Sequence, residues 1–342
     1  RFRIMGDFTT VDDASKYFQT KGWTGTGGSL GVTNDGNSDL QPDLIFLKDR
    51  TVADDSYSYD AVRGAQKKFL PSDDDAESTD SNGITAFNSD GFTVGSADGV
   101  NKSSSEMISW QWKEAAGGIF DIVSYTGTGS AHTISHSLGA KPAFMICKRR
   151  SEAGSWAVYH RGNSGQGTDP ATDYQLLDVI GVQSDDATVW NDTEPTSSVF
   201  SVGTSDHTNK NTITYIAYLW SELQGYSKFG QYMGNGHING TFNYCGFQPE
   251  AVIIKGNSDT GHWVMHTNSI YINGTDSMNT WSHTDAEAGP GIGAGSHIDF
   301  LSNGFKLRGA SAATNAKTYL YTYMAWAKNP FVTSGGVAGT AN

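Results

Sequence analysis

The sequence predicts an all-β protein of three tandem antiparallel β-sandwich repeats, jelly-roll-like and about 100 residues each. Three observations carry that prediction. Only 17% of the 342 residues are charged and 12% are aromatic, with 41 Gly against 8 Pro, a profile of short strands and tight turns. Runs rich in Ser, Thr, Asn and Asp separate the apolar runs at short intervals. One ordered set of landmarks also recurs three times along the chain.

Each copy opens on an aromatic residue and a Gly-X-Gly turn: Trp23-Thr24-Gly25-Thr26-Gly27, Tyr125-Thr126-Gly127-Thr128-Gly129 and Tyr232-Met233-Gly234-Asn235-Gly236. The glycines supply the positive φ that a tight connection needs. Next comes a strand led by Pro and closed by Lys, from Pro42 to Lys48, Pro142 to Lys148 and Pro249 to Lys255. Its consecutive apolar residues, Leu44-Ile45-Phe46-Leu47 in the first copy, predict a central strand covered on both faces. The leading Pro is tolerated because its missing N–H falls outside the ladder. Tyr57, Trp156 and Trp263 follow as a matched aromatic position, and Asp90 to Val94, Ser198 to Val202 and Asn303 to Leu307 as a matched strand.

Each copy closes on a strand ending at Trp112, Trp220 or Trp326. In the first copy Ile108, Trp110 and Trp112 alternate with Met107, Ser109 and Gln111, which predicts a half-covered strand; in the second both faces are largely apolar, which predicts a buried one. The middle copy offers about seven strand segments, at 120–126, 132–137, 142–149, 155–160, 173–179, 198–203 and 212–221, the complement of one sandwich. The expected organisation is an attachment arm at 1–20, repeats at 21–117, 118–224 and 225–332, and a Gly/Ala-rich tail at 333–342. Links as short as Glu114 to Gly118 and Ser221 to Gly225 predict that neighbours pack against each other in a stiff array.

The balance of 23 Lys+Arg against 36 Asp+Glu, net −13, opposes a sequence-independent grip on nucleic acid or anionic membranes. No stretch approaches the ~20 apolar residues that span a bilayer, so no membrane insertion is expected, and Arg1 to Gly6 lack the apolar core of a signal peptide. Cys147 and Cys245 fall at non-equivalent positions and read as buried reduced thiols, with a bridge between repeats as the other reading.

Several groups invite a chemical reading. The run Asp73 to Asp80 is dense enough for calcium but lacks the spaced order of an EF-hand loop, so a solvated loop and no metal are expected. His132 and His136, like His262 and His266, sit four apart on strands, where the ~13 Å span is too long for one ion; they read as half-exposed strand histidines. Lys48, Lys148 and Lys255 read as stems packed on the core, their ammonium groups paired with carboxylates or in water. The chain has no Gly-X-Ser-X-Gly elbow, Walker loop, HExxH or Cys-X-X-Cys, so no catalytic residue and no cofactor are expected. The segments 164–172, 181–197 and 267–297 differ most between copies; their Trp190, Tyr271, Trp281 and His283 are the candidate ligand-binding residues, on the expectation that they are exposed on variable loops.

Taken together, Trp-Thr-Gly-Thr-Gly and Tyr-Thr-Gly-Thr-Gly, the Pro-led strand ending in Lys, Gly154 to His160, Ala61 to Ala65, Ser89 to Gly95, Gly225 to Gly230 and Asn329-Pro330-Phe331 resemble a family of repeat proteins encoded by tailed phages of aquatic bacteria. The resemblance covers about residues 20–332. Such proteins are described as tail-fibre-like or virion structural proteins. It implies a non-enzymatic component of the extracellular phage particle, a tail fibre or host-adsorption protein. Its partners would be other virion proteins and a host cell-surface glycan or protein, and it would form a homo-oligomer, a trimer first. A head-decorating or neck-adaptor protein and a tailspike-like glycan depolymerase are the alternatives.

Overall fold

The structure is a computed structural model; it describes residues 9–163, 170–258, 260–268 and 297–330, and of residues 280–283 the backbone. The first nine strands are β1 (Phe18–Thr24), β2 (Leu30–Val32), β3 (Leu44–Asp49), β4 (Ser56–Asp60), β5 (Lys67–Lys68), β6 (Ser78–Thr79), β7 (Ile84–Phe87), β8 (Phe92–Val94) and β9 (Glu106–Trp112), with a one-turn helix α1 (Asp98–Asn101) before the last; they are called unit 1 below. Unit 2 has β10 (Asp121–Thr126), β11 (His132–Ser135), β12 (Phe144–Arg149), β13 (Ala157–His160), β14 (Asp173–Leu176), β15 (Ser184–Asp185), α2 (Ala187–Trp190), β16 (Val199–Val202), α3 (Asp206–Asn209) and β17 (Thr214–Trp220). Unit 3 has β18 (Ser227–Met233), β19 (Phe242–Tyr244), β20 (Phe247–Gly256), β21 (Val264–Thr267), β22 (Thr280–His283), β23 (Ile298–Leu301), β24 (Gly304–Leu307) and β25 (Leu320–Pro330).

The three large sheets share one strand order. Unit 1 runs β1-β9-β3-β4, unit 2 runs β10-β17-β12-β13 and continues into β14 and β15, and unit 3 runs β18-β25-β20-β21 and continues into β22. A smaller sheet faces each: β2-β8-β7, β11-β16 and β19-β24-β23. The molecule is therefore all-β, with antiparallel pairing in these sheets. Backbone pairing resumes directly after the leading Pro, where the N–H of Asp43 donates to Trp112 and that of Ala143 to Trp220. In unit 3 the strand starts earlier, and register shifts between Gln248 and Ala251 absorb Pro249.

The turns are locked by a device that also recurs. Gly25, Gly127 and Gly234 pass so close to the chain that a Cβ would meet the carbonyls of Lys102, Lys210 and Ala316 at 2.0, 2.3 and 2.1 Å. Their partners Gly27, Gly129 and Gly236 have φ near +70°. A fully buried Asn anchors each turn: the Oδ1 of Asn101, Asn209 and Asn315 accepts from the N–H of Thr26, Thr128 and Asn235. The Nδ2 of each donates back to Gly28, Ser130 and His237. Buried backbone groups left open by the glycine turn are thereby satisfied.

The central strands of each large sheet are buried on both faces. One face meets its small sheet, as where Ile45, Leu47, Tyr59 and Met107 pack with Val32, Ile84, Phe92 and Val94. The other carries Phe46, Trp110 and Trp112 in unit 1, and Phe144, Tyr218 and Trp220 in unit 2, which join the core of unit 3 in one cluster. At its centre Trp112, Trp220 and Trp326 meet edge to face, with ring centroids 5.2, 5.7 and 6.0 Å apart. Burying three indoles of about 200 Å² each is worth several kcal/mol apiece, so this shared cluster contributes substantially to holding the units together.

This packing closes on itself. The Oη of Tyr218 in unit 2 donates to Asp60 of unit 1 at 2.6 Å, the Nε1 of Trp110 in unit 1 donates to Thr267 of unit 3 at 3.0 Å, and Nε2 of His160 in unit 2 lies 3.2 Å from the Tyr323 carbonyl of unit 3. Asp60, His160 and Thr267 are equivalent, each paired opposite the first residue of the shared β3-type ladder: Leu44, Phe144 or Ala251. Three like contacts between neighbours, with unit 3 returning to unit 1, define a ring with a pseudo-threefold axis through the tryptophans. The packed neighbours expected from the short links are present, but the stiff array bends into a closed ring.

Four expectations require correction. The closing strand of unit 1 is covered on both faces, because Ser109 and Gln111 are fully buried and spend their polar atoms on Lys21, Asn34 and each other. Tyr57 is not the counterpart of Trp156 and Trp263: it pairs with Leu47 as Ala157 pairs with Cys147, so Ser56 takes the tryptophan's place. Residues 9–20 do not form a separate arm, since Val11 and Ala14 are core residues and Phe18 begins β1; residues 1–8 and 331–342 lie outside the described residues. His266 is fully buried, not half-exposed.

Candidate functional site

A cleft lies at the seam where unit 3 meets unit 1, with a volume of about 390 Å³. β1 supplies Gln19, Thr20 and Lys21, the following turn Asp35 and Asn37, and unit 3 Glu250, Lys328 and Asn329. Gln19 builds one wall: its amide nitrogen Nε2 donates to the carbonyls of Ser15 and Ser38 at 2.8 and 2.7 Å, and its Oε1 accepts from the N–H of Gly36 at 2.9 Å. A Cβ on Gly36 would meet that amide at 2.5 Å, so a side chain there would displace the Gln19 amide. Glu250, buried to 6% exposure, accepts from Oγ1 of Thr20 at 2.6 Å, which ties the seam together. Lys21 pairs with the exposed Asp35 at 2.8 Å. The cleft can hydrogen-bond a small polar molecule, but both of its acids already have partners.

A carboxyl group of perturbed acidity lies at the unit 1 to unit 2 link. Burial, a hydrogen bond to Asp121 and the charge of that carboxyl push Glu114 up to about 7. Asp121 is itself held by Ser137 through the backbone N–H at 2.6 Å and the hydroxyl at 3.0 Å. A glycosidase needs its two carboxyls about 5 to 9.5 Å apart, to admit the scissile bond or a water. Two carboxyls within hydrogen-bonding reach of each other leave no such gap.

The heaviest concentration of buried charge is structural. Asp60 and Arg63, both without solvent contact at the side chain, form an ion pair after β4, and the Arg63 guanidinium lies 3.9 Å from the Phe69 ring centroid. Glu77 sits 3.8 Å from Arg63 and pairs with Arg150 of unit 2 at 2.9 Å. The adjoining acidic loop docks through its backbone: the carbonyl of Asp73 accepts the Trp156 indole at 3.0 Å, and that of Asp74 accepts Lys148 at 2.8 Å. The exposed carboxylates of Asp73, Asp74 and Asp75 come within 4.8 Å of one another, the one such acidic group among the described residues. Nothing besides their proximity points to an ion.

The repeated lysines also have backbone carbonyls as partners, which were not expected. Lys48, Lys148 and Lys255 are buried, and each donates to a carbonyl six residues on, at Asp54, Gly154 and Gly261. In units 2 and 3 the ammonium also lies 5.6 and 5.8 Å from the ring centroids of Trp156 and Trp263. Burial draws Lys148 down to about 8.

Of the four candidate ligand-binding residues, Trp190 is not exposed. Trp190 ends α2 and is buried at 1% exposure in the core of unit 2, edge to face with Tyr159 at 5.9 Å. The polar run around it hid a helical turn, capped by Asp186 through the N–H of Thr188, that folds the indole inward. Tyr271 lies outside the described residues. Trp281 and His283 belong to β22, where the backbone pairs them with His266 and Val264. Both cysteines are free and buried in different units, and burial raises Cys147 to about 12. The recurrent Asn101, Asn209 and Asn315 went unread, although Asn-Lys at 101–102 and 209–210 was visible.

The fold and these clusters define a class: a closed ring of β-sandwiches whose buried polar groups serve the junctions between units. The chain belongs to the family described as Domain of unknown function (DUF7483), whose model matches residues 13–330 and thus takes in all three units at once. No curated protein matches the chain.

Proposed function

We propose that this chain is a non-enzymatic structural component of a bacteriophage virion, a tail-fibre or host-adsorption protein working in the extracellular particle. The sequence resemblance supplies the virion context, and the closed ring supports the structural role. The carrying observation is the contact of Trp112, Trp220 and Trp326 on one axis, which makes three sandwiches a single rigid block. Rigidity of that kind suits a part that bears load or presents a surface. The acids support the non-enzymatic reading too: those of the seam cleft are engaged by Thr20 and Lys21, and Glu114 touches its neighbour Asp121. The fibre reading brings with it other virion proteins as partners and a symmetric oligomer, a trimer first, measurable by sedimentation equilibrium.

Electron cryomicroscopy of intact particles labelled with antibody fragments raised against this chain tests the proposal. Label at the tail or its distal tip is the expected result. Label over the head or neck, or none on the particle, overturns it.

A further inference from the structure

β19 of unit 3 reverses the polarity of its counterparts. Its middle residue Asn243 pairs opposite Phe305, as Val32 pairs opposite Phe92 and Ile134 opposite Phe200. The inward residue is thus Val or Ile in units 1 and 2, but in unit 3 it is a buried asparagine whose Nδ2 has no hydrogen-bond partner. The outward residues are Gly31 and Thr33 in unit 1 and Thr133 and Ser135 in unit 2, whereas in unit 3 they are Phe242 at 43% exposure and Tyr244 at 58%. A strand that turns aromatics to solvent and a polar amide to the core forgoes stability on both faces, which needs a compensating contact outside.

We infer that the outer face of β19 is a saccharide-binding platform, on which Phe242 and Tyr244 stack against the C–H faces of pyranose rings. The two residues alternate along one strand, so their rings stand about 7 Å apart on the same side. Tyr244 pairs opposite Gly304, where a Cβ would meet the Asn243 carbonyl at 2.1 Å, and its hydroxyl lies beside Gly246. The ring therefore has no side chain beside it on either glycine and offers an open face. Phe242 pairs opposite Lys306, which supplies a donor for a sugar hydroxyl or a uronic carboxylate beside the ring. The electron-rich face of an aromatic ring attracts the weakly positive C–H groups of a pyranose, while hydroxyls at its rim stay hydrated.

Size separates a saccharide from a protein partner. Even counted with Met233 at 60% and Ile238 at 67% exposure on the chain just before β19, the patch offers only on the order of 500 Å². A stable protein interface takes about 800 Å² from each side. The inference deepens the host-adsorption reading and rests on it for where the saccharide would be met.

The test titrates the full chain with hexasaccharides of neutral hexoses and, separately, of uronates, following binding by calorimetry. The comparison is the double variant Phe242→Thr, Tyr244→Thr, which restores the outward threonines of the other units. Saturable binding to either class, weakened at least about tenfold in the variant with an unchanged melting temperature, is the expected result. Binding that survives the double substitution overturns the inference. So does failure of both classes to bind at about 20 mM, or a variant whose only change is its sedimentation, which would assign the patch to a protein contact. None of these outcomes bears on where antibody labels the particle, so failure of the platform and failure of the virion reading are separate results.

Discussion

At the junction of units 1 and 2 the residue that reaches the neighbouring closing strand is Asp60; at the junction of units 2 and 3 the same position is His160. Around Asp60 the chemistry is ionic, with Arg63, Glu77 and Arg150 in one chain of charge. Around His160 the buried partners are neutral amides, Gln175 and Gln183 of unit 2 meeting Asn257 of unit 3 at 3.4 and 3.0 Å, and the charges of this junction sit further out, where Glu222 pairs with Arg161 and Lys228 at 3.0 and 2.6 Å. The N–H of Gly162 donates to Nδ1 of His160, which leaves the proton on Nε2 to donate to Tyr323. Geometry is held constant and chemistry is not. The ring requires that a buried polar group at this place be satisfied across the junction; it is indifferent to whether a charge or an amide does it.

The largest effect should come from breaking the ionic junction on one side only. Asp60→Ala leaves the Arg63 guanidinium buried without its carboxylate and Tyr218 without its acceptor, which should cost about 3–5 kcal/mol in urea denaturation. Removing both charges in Asp60→Ala, Arg63→Met should recover most of that loss, because no unpaired charge remains. A double variant as unstable as the single one would mean that the ion pair, and not merely the avoidance of an orphan, holds units 1 and 2 together.

The neutral junction should be the acid-sensitive one. Burial draws His160 down to about 3, and His266 in the core of unit 3 likewise. An unfolded histidine titrates near 6.5. The folded chain therefore binds fewer protons than the unfolded one between these values, so the stability is fully present above pH 6.5 and is lost as pH falls toward 3. Between pH 7 and pH 4 each histidine should remove about 3 kcal/mol. His160→Gln keeps a donor for Tyr323 without the titration, and should flatten the acid limb of stability against pH by its share. An unaltered limb would place the acid sensitivity elsewhere.

A smaller loss is expected at the indole that links units 2 and 3. Trp263→Phe removes the donor to the Leu176 carbonyl at 2.9 Å and leaves a small void, which should cost about 2 kcal/mol. Trp156→Phe at the other junction abandons two carbonyls, Leu70 and Asp73, and should cost more. Equal losses would show that the second acceptor contributes nothing.

These contrasts also explain what could be read from the sequence. The three-fold landmarks were legible because a buried strand such as Leu44 to Leu47 needs apolar residues whatever it packs against. The ring was not legible, because Trp112, Trp220 and Trp326 look the same whether they fill separate cores or one shared core. Polar residues misled in both directions. Gln111 and Ser109 read as a solvent face, since sequence shows a polar side chain but not the Asn34 that satisfies it 77 positions away. The run around Trp190 read as an exposed loop, since a four-residue helix is too short to show periodicity. The platform on β19 was missed for the opposite reason: Phe242-Asn243-Tyr244 signals its reversed polarity only when aligned residue by residue with the other two units.

The least perturbing change tests whether the seam obeys the rule found at the other two junctions. Thr267 is the counterpart of Asp60 and His160, and its hydroxyl takes the Trp110 indole of unit 1 at 3.0 Å. Thr267→Val preserves shape and volume and removes only the acceptor, leaving Nε1 of Trp110 buried without a partner. That orphan should cost about 1–2 kcal/mol, below the loss at Asp60 because no charge is stranded. Unlike units 1 and 2, or 2 and 3, units 3 and 1 have no chain passing directly between them, so the seam is held by non-covalent contacts alone: Thr267 to Trp110, Glu250 to Thr20, and the rings of Phe18 and Trp112 against Trp326. The seam should therefore open first. Amide exchange in β1 should quicken in Thr267→Val while exchange in β10 stays unchanged. Uniform quickening through all three sheets would show instead that the ring opens only as a whole.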